Sequence, residues 1–265
     1  MTAVASLGFR TDLMLRRLAG ASVEDRGDYL VIRTTANPTF YWGNFLLFRE
    51  PPKPGEPTEW VSTFGREFPD ATHVAIGVDG TTGALGAAPE MRLAGLADEV
   101  SVVLTTDVLT PIGEPDPAAE LRVLRTDEEW AQSVEFRIAV DEDESDQHRL
   151  FVERRSRELR DLVEAGHGVY VGAFVDGVAR AGLGLYVEDG IARFQSVETH
   201  PLFRRRGLAS ALLVEAARLV SEQHPVETFV IVADPSYVAI DLYRRLGFAD
   251  SERQVQWLRS PEPAD

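Results

Sequence analysis

Residues 196–210, SVETHPLFRRRGLAS, put three consecutive arginines ahead of a glycine, a small residue and the start of an apolar run. The pattern Arg204-x-x-Gly207-x-Ala209 follows a β-branched stretch ending in Val197, Glu198 and Thr199. It opens onto residues 207–223, whose apolar positions recur at helical spacing. A strand–turn–helix junction of this composition is an anion cradle. The first turn of a helix leaves backbone N–H groups without intrahelical acceptors, and the aligned peptide dipoles add positive potential there. Gly207 permits positive φ and close approach of the backbone to a bulky anion. Ala209 keeps the approach clear, and the arginines supply charge-assisted contacts to phosphate oxygens. The competing account is a solvated basic helix start. It is disfavoured because cations near a helix N-terminus oppose the dipole unless an anion is present.

The elements that must position this junction can be read outward from it. Residues 121–124 read as a short strand, 127–140 and 146–164 as helices, and 168–175, 178–187 and 191–199 as three antiparallel strands. Asp176-Gly177 and Asp189-Gly190 are hairpin signals between the strands. After the helix at 207–223 come a strand at 227–233, a helix at 236–246 stopped by Gly247, and a strand from Phe248. The stretch 110–117, TPIGEPDP, disfavours helix and central strand alike and reads as a linker. It divides the chain into residues 1–115, a degenerate or accessory half, and residues 118–265. In the first half, 28–34, 45–48, 72–78 and 99–105 look like strands and 58–68 like a helix; no residue-level repeat links the halves. Residues 37–44, NPTFYWGN, are unusually aromatic and are either core packing or a pocket wall.

Arg-x-x-Gly-x-Ala in this setting, followed by Asp241-Leu242-Tyr243-Arg244-Arg245-Leu246-Gly247-Phe248, resembles the acetyl-CoA site and the downstream Leu-Tyr-x-x-x-Gly-Phe block of the GNAT N-acetyltransferases. The resemblance covers roughly residues 121–258. It implies a mixed α/β fold, the acyl-CoA N-acyltransferase fold, in the C-terminal half, in tandem with a degenerate N-terminal copy. It also implies acetyl-CoA as co-substrate, with Val197, Glu198 and Thr199 on the strand that pairs with its pantetheine arm. Its pyrophosphate would sit on the amides from Arg205 through Ser210, Leu208 included, beside Arg204, Arg205 and Arg206. Tyr243 matches the family tyrosine that protonates the leaving thiolate; its other role is a core tyrosine packed on Phe248. Asp234 stands where many members place asparagine, and either contacts the cofactor or simply opens the helix after Pro235. An amine acceptor needs a general base, because only the neutral amine is nucleophilic. Glu198 is the candidate on the cofactor strand, with Glu188, Asp189 and His200 as others.

Composition narrows the chemistry further. Among the 265 residues there is no cysteine, so disulfides and thiolate nucleophiles are excluded. A net charge of −16 argues against nucleic-acid and anionic-membrane partners. No apolar run approaches the roughly 18 residues a membrane span needs, and the N-terminus lacks a signal-peptide pattern, so the expected location is the cytoplasm. His148 and His167 sit in no ligand spacing, so no metal site is expected. The expected function is direct transfer of acetyl from acetyl-CoA to a primary amine of a small molecule or peptide. The alternative is a non-catalytic acyl-CoA sensor or interaction module on the same fold. The chain is expected to be a monomeric pseudo-dimer or a homodimer.

Overall fold

A computed structural model describes residues 3–261. In chain order the elements are α1 (Leu7–Leu18), β1 (Ser22–Asp25), β2 (Tyr29–Arg33), β3 (Asn44–Phe48), α2 (Pro57–Glu67), β4 (Val74–Val78), α3 (Ala88–Leu93), β5 (Ala97–Thr106), β6 (Ala119–Val123), α4 (Asp127–Asp141), α5 (Asp146–Glu164), β7 (Gly168–Val175), β8 (Val178–Glu188), β9 (Ile191–Thr199), α6 (Leu208–Gln223), β10 (Thr228–Ala233), α7 (Ala239–Arg245) and β11 (Ala249–Arg259). The order helix, three strands, helix, strand, helix, strand occurs twice, from α1 to β5 and from α5 to β11. The duplication that residue identities hide is written in the element order.

Contacts group the chain into two compact units. The first holds the chain up to Val103 together with Val232–Tyr237 and the segment from Asp250; the second holds Leu104–Ile231 and Val238–Ala249. The units therefore do not follow the linker in a simple cut.

In the first unit the strands lie in the order β1-β2-β3-β4-β11-β5. β3 and β4 are parallel, with Leu46 opposite Ile76, and every residue of both is buried, as expected of central strands covered on both faces. β11 runs antiparallel to β4, setting Trp257 opposite Ile76. Read from the sequence as the closing strand of the second half, β11 thus completes the first unit. Phe9, Phe45, Trp60, Phe64, Ile76 and Trp257 fill this core. The aromatic stretch at 37–44 is packing: Tyr41 stacks on His73, Trp42 meets Phe45 edge-on, and Asn44 Nδ2 donates to the carbonyls of Asn37 and Phe40. A short helix, α3, follows the glycine-rich stretch 81–87.

In the second unit β6, β7, β8 and β9 form an antiparallel run and β10 joins β9 in parallel. The Asp-Gly turns have both residues at positive φ, Asp176 at 52° and Gly177 at 76°, Asp189 at 49° and Gly190 at 76°, the signature of type I′ turns. Thr126 and Glu129 cap α4 reciprocally, and Ser145 caps α5. Leu212, Leu213, Ala216 and Val220 of α6 are buried, as are Val152, Leu159 and Leu162 of α5. Both helices therefore turn an apolar stripe inward.

Candidate active site

β9 is irregular where the sequence places its chemistry. Gly184 of β8 faces Gln195, but Gly182 faces Glu198, so β9 carries one extra residue between these partners. Ser196 takes up the distortion at a φ of 52°. A bulge of this kind re-aims the side chains that follow it. The parallel pairing of β9 with β10 runs from Ile191↔Thr228 to Arg193↔Val230 and goes no further. The two strands part while β9 still has six residues to run, and backbone groups along that opening are left for another extended chain.

Beyond Thr199 the chain makes a 3-10 turn at Pro201–Phe203, capped by His200 Nδ1, which accepts from the Leu202 amide. Capping the strand exit is thus the role in which His200 is seen. Arg205 follows at a φ of 61° and Gly207 at 75°. Left-handed residues alternating along a turn aim successive amides into one concavity, an anion-binding nest. Gly207 is the N-cap of α6 and offers no capping side chain, so the first-turn amides of Leu208, Ala209 and Ser210 lack a side-chain acceptor. A Cβ on Gly207 would lie 2.9 Å from the Glu114 carbonyl oxygen, which makes the glycine a steric as well as a conformational requirement. The linker braces this turn. The Asp116 amide donates to the Arg206 carbonyl at 3.0 Å, and the Asp116 carboxylate pairs with the Arg206 guanidinium. Of the three arginines, Arg206 is thus engaged internally, Arg204 donates through Nε to the Thr199 carbonyl, and Arg205 is exposed. Arg180 lies in a register irregularity of β8 and sets its guanidinium 4.6 Å from the Phe203 ring, with Arg206 at 4.8 Å from the same ring.

Glu198 points away from the cradle helix. Its cross-strand partner Gly182 lies under Tyr170 and under Phe136 of α4. Arg137, also on α4, sets Nε 3.5 Å from Glu198 Oε1 and donates from Nη1 to Ser196 Oγ at 3.3 Å. Burial raises the Glu198 carboxyl above its ordinary value; Arg137 opposes this and Asp141 adds to it. Glu198 Oε2 is shut off from solvent with no hydrogen-bond partner in the protein. A largely buried carboxylate with a raised pKa and one free oxygen has the properties of a general base for an amine. His148 Nε2 in turn lies 3.0 Å from Asp141 Oδ2. Burial also raises the Tyr170 hydroxyl.

Tyr243 is buried, its ring edge-on to Phe248 with centroids 6.4 Å apart. Asp234 is used locally: its Oδ1 accepts from the Ser236 amide and hydroxyl, which holds its carboxyl below the ordinary range. It belongs to the first unit, whereas the cradle belongs to the second. Glu188 and Asp189 lie at the opposite end of the β8–β9 hairpin from Glu198. Arg137, Tyr170, Arg180 and Asp116 were missed from the sequence. Only Arg137 left a signal, a basic residue at i+4 from buried Ser133 and i+7 from buried Trp130. Among the described residues, no group of three or more acidic or histidine side chains could hold a metal ion, and no helix is long and apolar enough to cross a membrane.

The first unit repeats the parallel pair. The Asp79 amide still donates to the Phe48 carbonyl at 2.7 Å beyond the last paired residues of β3 and β4. The turn into α2, residues 49–57, contains Pro51, Pro52, Pro54 and Pro57, none of which has an amide to donate.

Residues 128–248 match the model of a family described as the acetyltransferase (GNAT) family. No curated protein matches the chain. Among solved structures, a functionally unknown conserved protein from Staphylococcus epidermidis aligns with a TM-score of 0.71 at 11% identity, covering 92% of this chain and 96% of that one. A GCN5-related N-acetyltransferase from Kribbella flavida aligns with a TM-score of 0.64 at 17% identity, covering 100% of this chain and 98% of that one. A tandem GNAT protein from the clavulanic acid biosynthesis pathway aligns with a TM-score of 0.57 at 14% identity, covering 95% and 89%. At these identities the likenesses establish the fold.

Proposed function

We propose that this chain, whose residues 128–248 form a GNAT-family domain, moves the acetyl group of acetyl-CoA directly onto a primary amine of a small molecule or peptide. The carrying observation is the parting of β9 from β10 just ahead of a turn whose glycine opens the N-terminus of α6. The opening suits an extended arm bearing amides, and the nest beyond it suits a pyrophosphate. Acetyl-CoA supplies an activated thioester. Val197 and Thr199 line its arm, and the amides from Arg205 to Ser210, with Arg204 and Arg205, hold its phosphates. Glu198 takes the proton that the acceptor ammonium must lose before it can attack. Tyr243 gives a proton to the departing thiolate, and no covalent enzyme intermediate is required. Only the second unit carries out this chemistry, because the first has a proline-rich turn, short of donor amides, in the place of the cradle. We assign the protein to the cytoplasm.

The test is calorimetric titration with CoA, paired with acetyl-CoA-dependent thiol release across small amines and peptide N-termini. Binding with turnover on at least one amine is expected. Absence of binding refutes the reading, and binding without release on any amine gives the sensor reading instead.

A further inference from the structure

We propose that Arg137 is a positioning residue for the base, fastening Glu198 to the β9 bulge through one oxygen so that its second oxygen stays free of protein hydrogen bonds; this rests on the reading of Glu198 as the base. Three observations meet at this side chain. Its Nη1 donates to Ser196 Oγ at 3.3 Å, gripping the bulge residue whose φ of 52° is costly for a non-glycine. Its Nε lies 3.5 Å from Glu198 Oε1, while Oε2 makes no hydrogen bond within the protein. Its other neighbour is Asp141, one turn along α4, at 3.8 Å from Nε. The planar guanidinium is a rigid fork, so one group can fix the bulge and the carboxylate together, which a flexible ammonium does less well.

The bulge is the reason such a clamp is needed. An extra residue in β9 lets the strand slip between two registers, and a slip by one residue turns Glu198 to the other face of the sheet. Arg137 holds the bulge residue Ser196 by a hydrogen bond and Glu198, two residues on, by an ion pair, and so selects one register. It also opposes the effect of burial on the Glu198 charge. The groups facing Glu198 are Arg137 and Asp141 from α4 and Tyr170 from β7, with His148 of α5 reaching it only through Asp141.

The experiment is a carbon-detected NMR titration of the glutamate side-chain carboxyls in the full chain, with Glu198 assigned by its loss in Glu198→Gln. In Arg137→Gln the Glu198 midpoint is expected to rise by about one pH unit, a tenfold change in ionisation. Arg137→Lys keeps the charge and loses the fork, so the midpoint rises by less while the Ser196 and Val197 amide resonances still shift. A midpoint unmoved in Arg137→Gln overturns the proposal. If that variant does not fold, a lysine variant with unshifted Ser196 and Val197 amides overturns it equally. CoA affinity is expected to stay within about twofold in both variants. The titration needs no acceptor: a wild type that acetylates nothing defeats the functional reading alone, and an active wild type with an unmoved midpoint in Arg137→Gln defeats the clamp alone.

Discussion

Two glycine substitutions separate conformational strain from steric contact at the cradle. Gly177 and Gly207 have nearly the same φ, 76° and 75°, so alanine at either incurs the left-handed penalty of about 1–2 kcal/mol. Their surroundings differ. A Cβ on Gly177 meets nothing within 4 Å, whereas one on Gly207 lies 2.9 Å from the Glu114 carbonyl oxygen and 3.2 Å from the Pro115 Cα. Both atoms are backbone and cannot rotate away, so the linker or the turn must shift, an overpacking cost of roughly 1–3 kcal/mol. Gly177→Ala should therefore destabilise the second unit by about 1–2 kcal/mol and Gly207→Ala by about 2–5 kcal/mol. At roughly 2–4 °C per kcal/mol the midpoints separate visibly in calorimetry. CoA titration supplies the functional axis: Gly207→Ala should weaken binding at least about tenfold, a change of 1.4 kcal/mol, and Gly177→Ala should leave it alone. Equal stability losses in the two variants would refute the linker contact. Unchanged CoA affinity in a folded Gly207→Ala protein would refute the cradle.

Glu198→Gln should lower acetyl transfer by about 10²- to 10⁴-fold, the usual contribution of a general base. The same variant bears on stability. A carboxyl raised above its ordinary value of 4.5 favours the fold most at low pH and loses that contribution as pH rises through its folded titration, so the stability of Glu198→Gln relative to wild type should improve from pH 4.5 to 8. Denaturant unfolding at several pH values checks this, and a relative stability that falls with pH would contradict the burial argument. Tyr243→Phe keeps the ring on Phe248, so acetyl-CoA affinity should hold while turnover falls by about 10²-fold or more; loss of neither quantity removes Tyr243 from the chemistry. Asp116→Asn frees Arg206 from its carboxylate, and CoA affinity should rise several-fold with a steeper salt dependence, both measurable by titration at two ionic strengths.

The second unit was legible almost residue by residue. Its strands are bounded by Asp-Gly turns and its helices by Thr126, Ser145 and Gly247, all local signals with a direct mechanism. The bounds of β7, β9 and α5 coincide with those read from the sequence. The first half resisted because its signals are weaker. β1 is four partly exposed residues, α3 is six, and α1 was passed over although Phe9, Leu13 and Met14 recur at helical spacing. At the site, sequence reading found what rests on local chemistry, such as the glycine and arginines of the cradle and the carboxylate on β9. It missed Arg137, Tyr170, Arg180 and Asp116 because each acquires its role from a partner distant in sequence. The bulge at Ser196 was also invisible, since nothing in Gln195-Ser196-Val197 demands positive φ.

The place of β11 has a consequence for synthesis on the ribosome. β4 and β11 pair along Val78↔Val255 to Val74↔Arg259, so the first unit waits for a strand made after nearly all of the second. About 150 residues separate the two parts, and at ordinary translation rates they take roughly 7–30 s to make. Throughout that interval one side of β4 is an unpaired apolar edge, the kind of surface that recruits unwanted strands. The emergence of the last strand, not the synthesis of the first hundred residues, is the event that seals the first core. A ribosome stalled before Asp250 would hold that edge open for as long as it stays stalled.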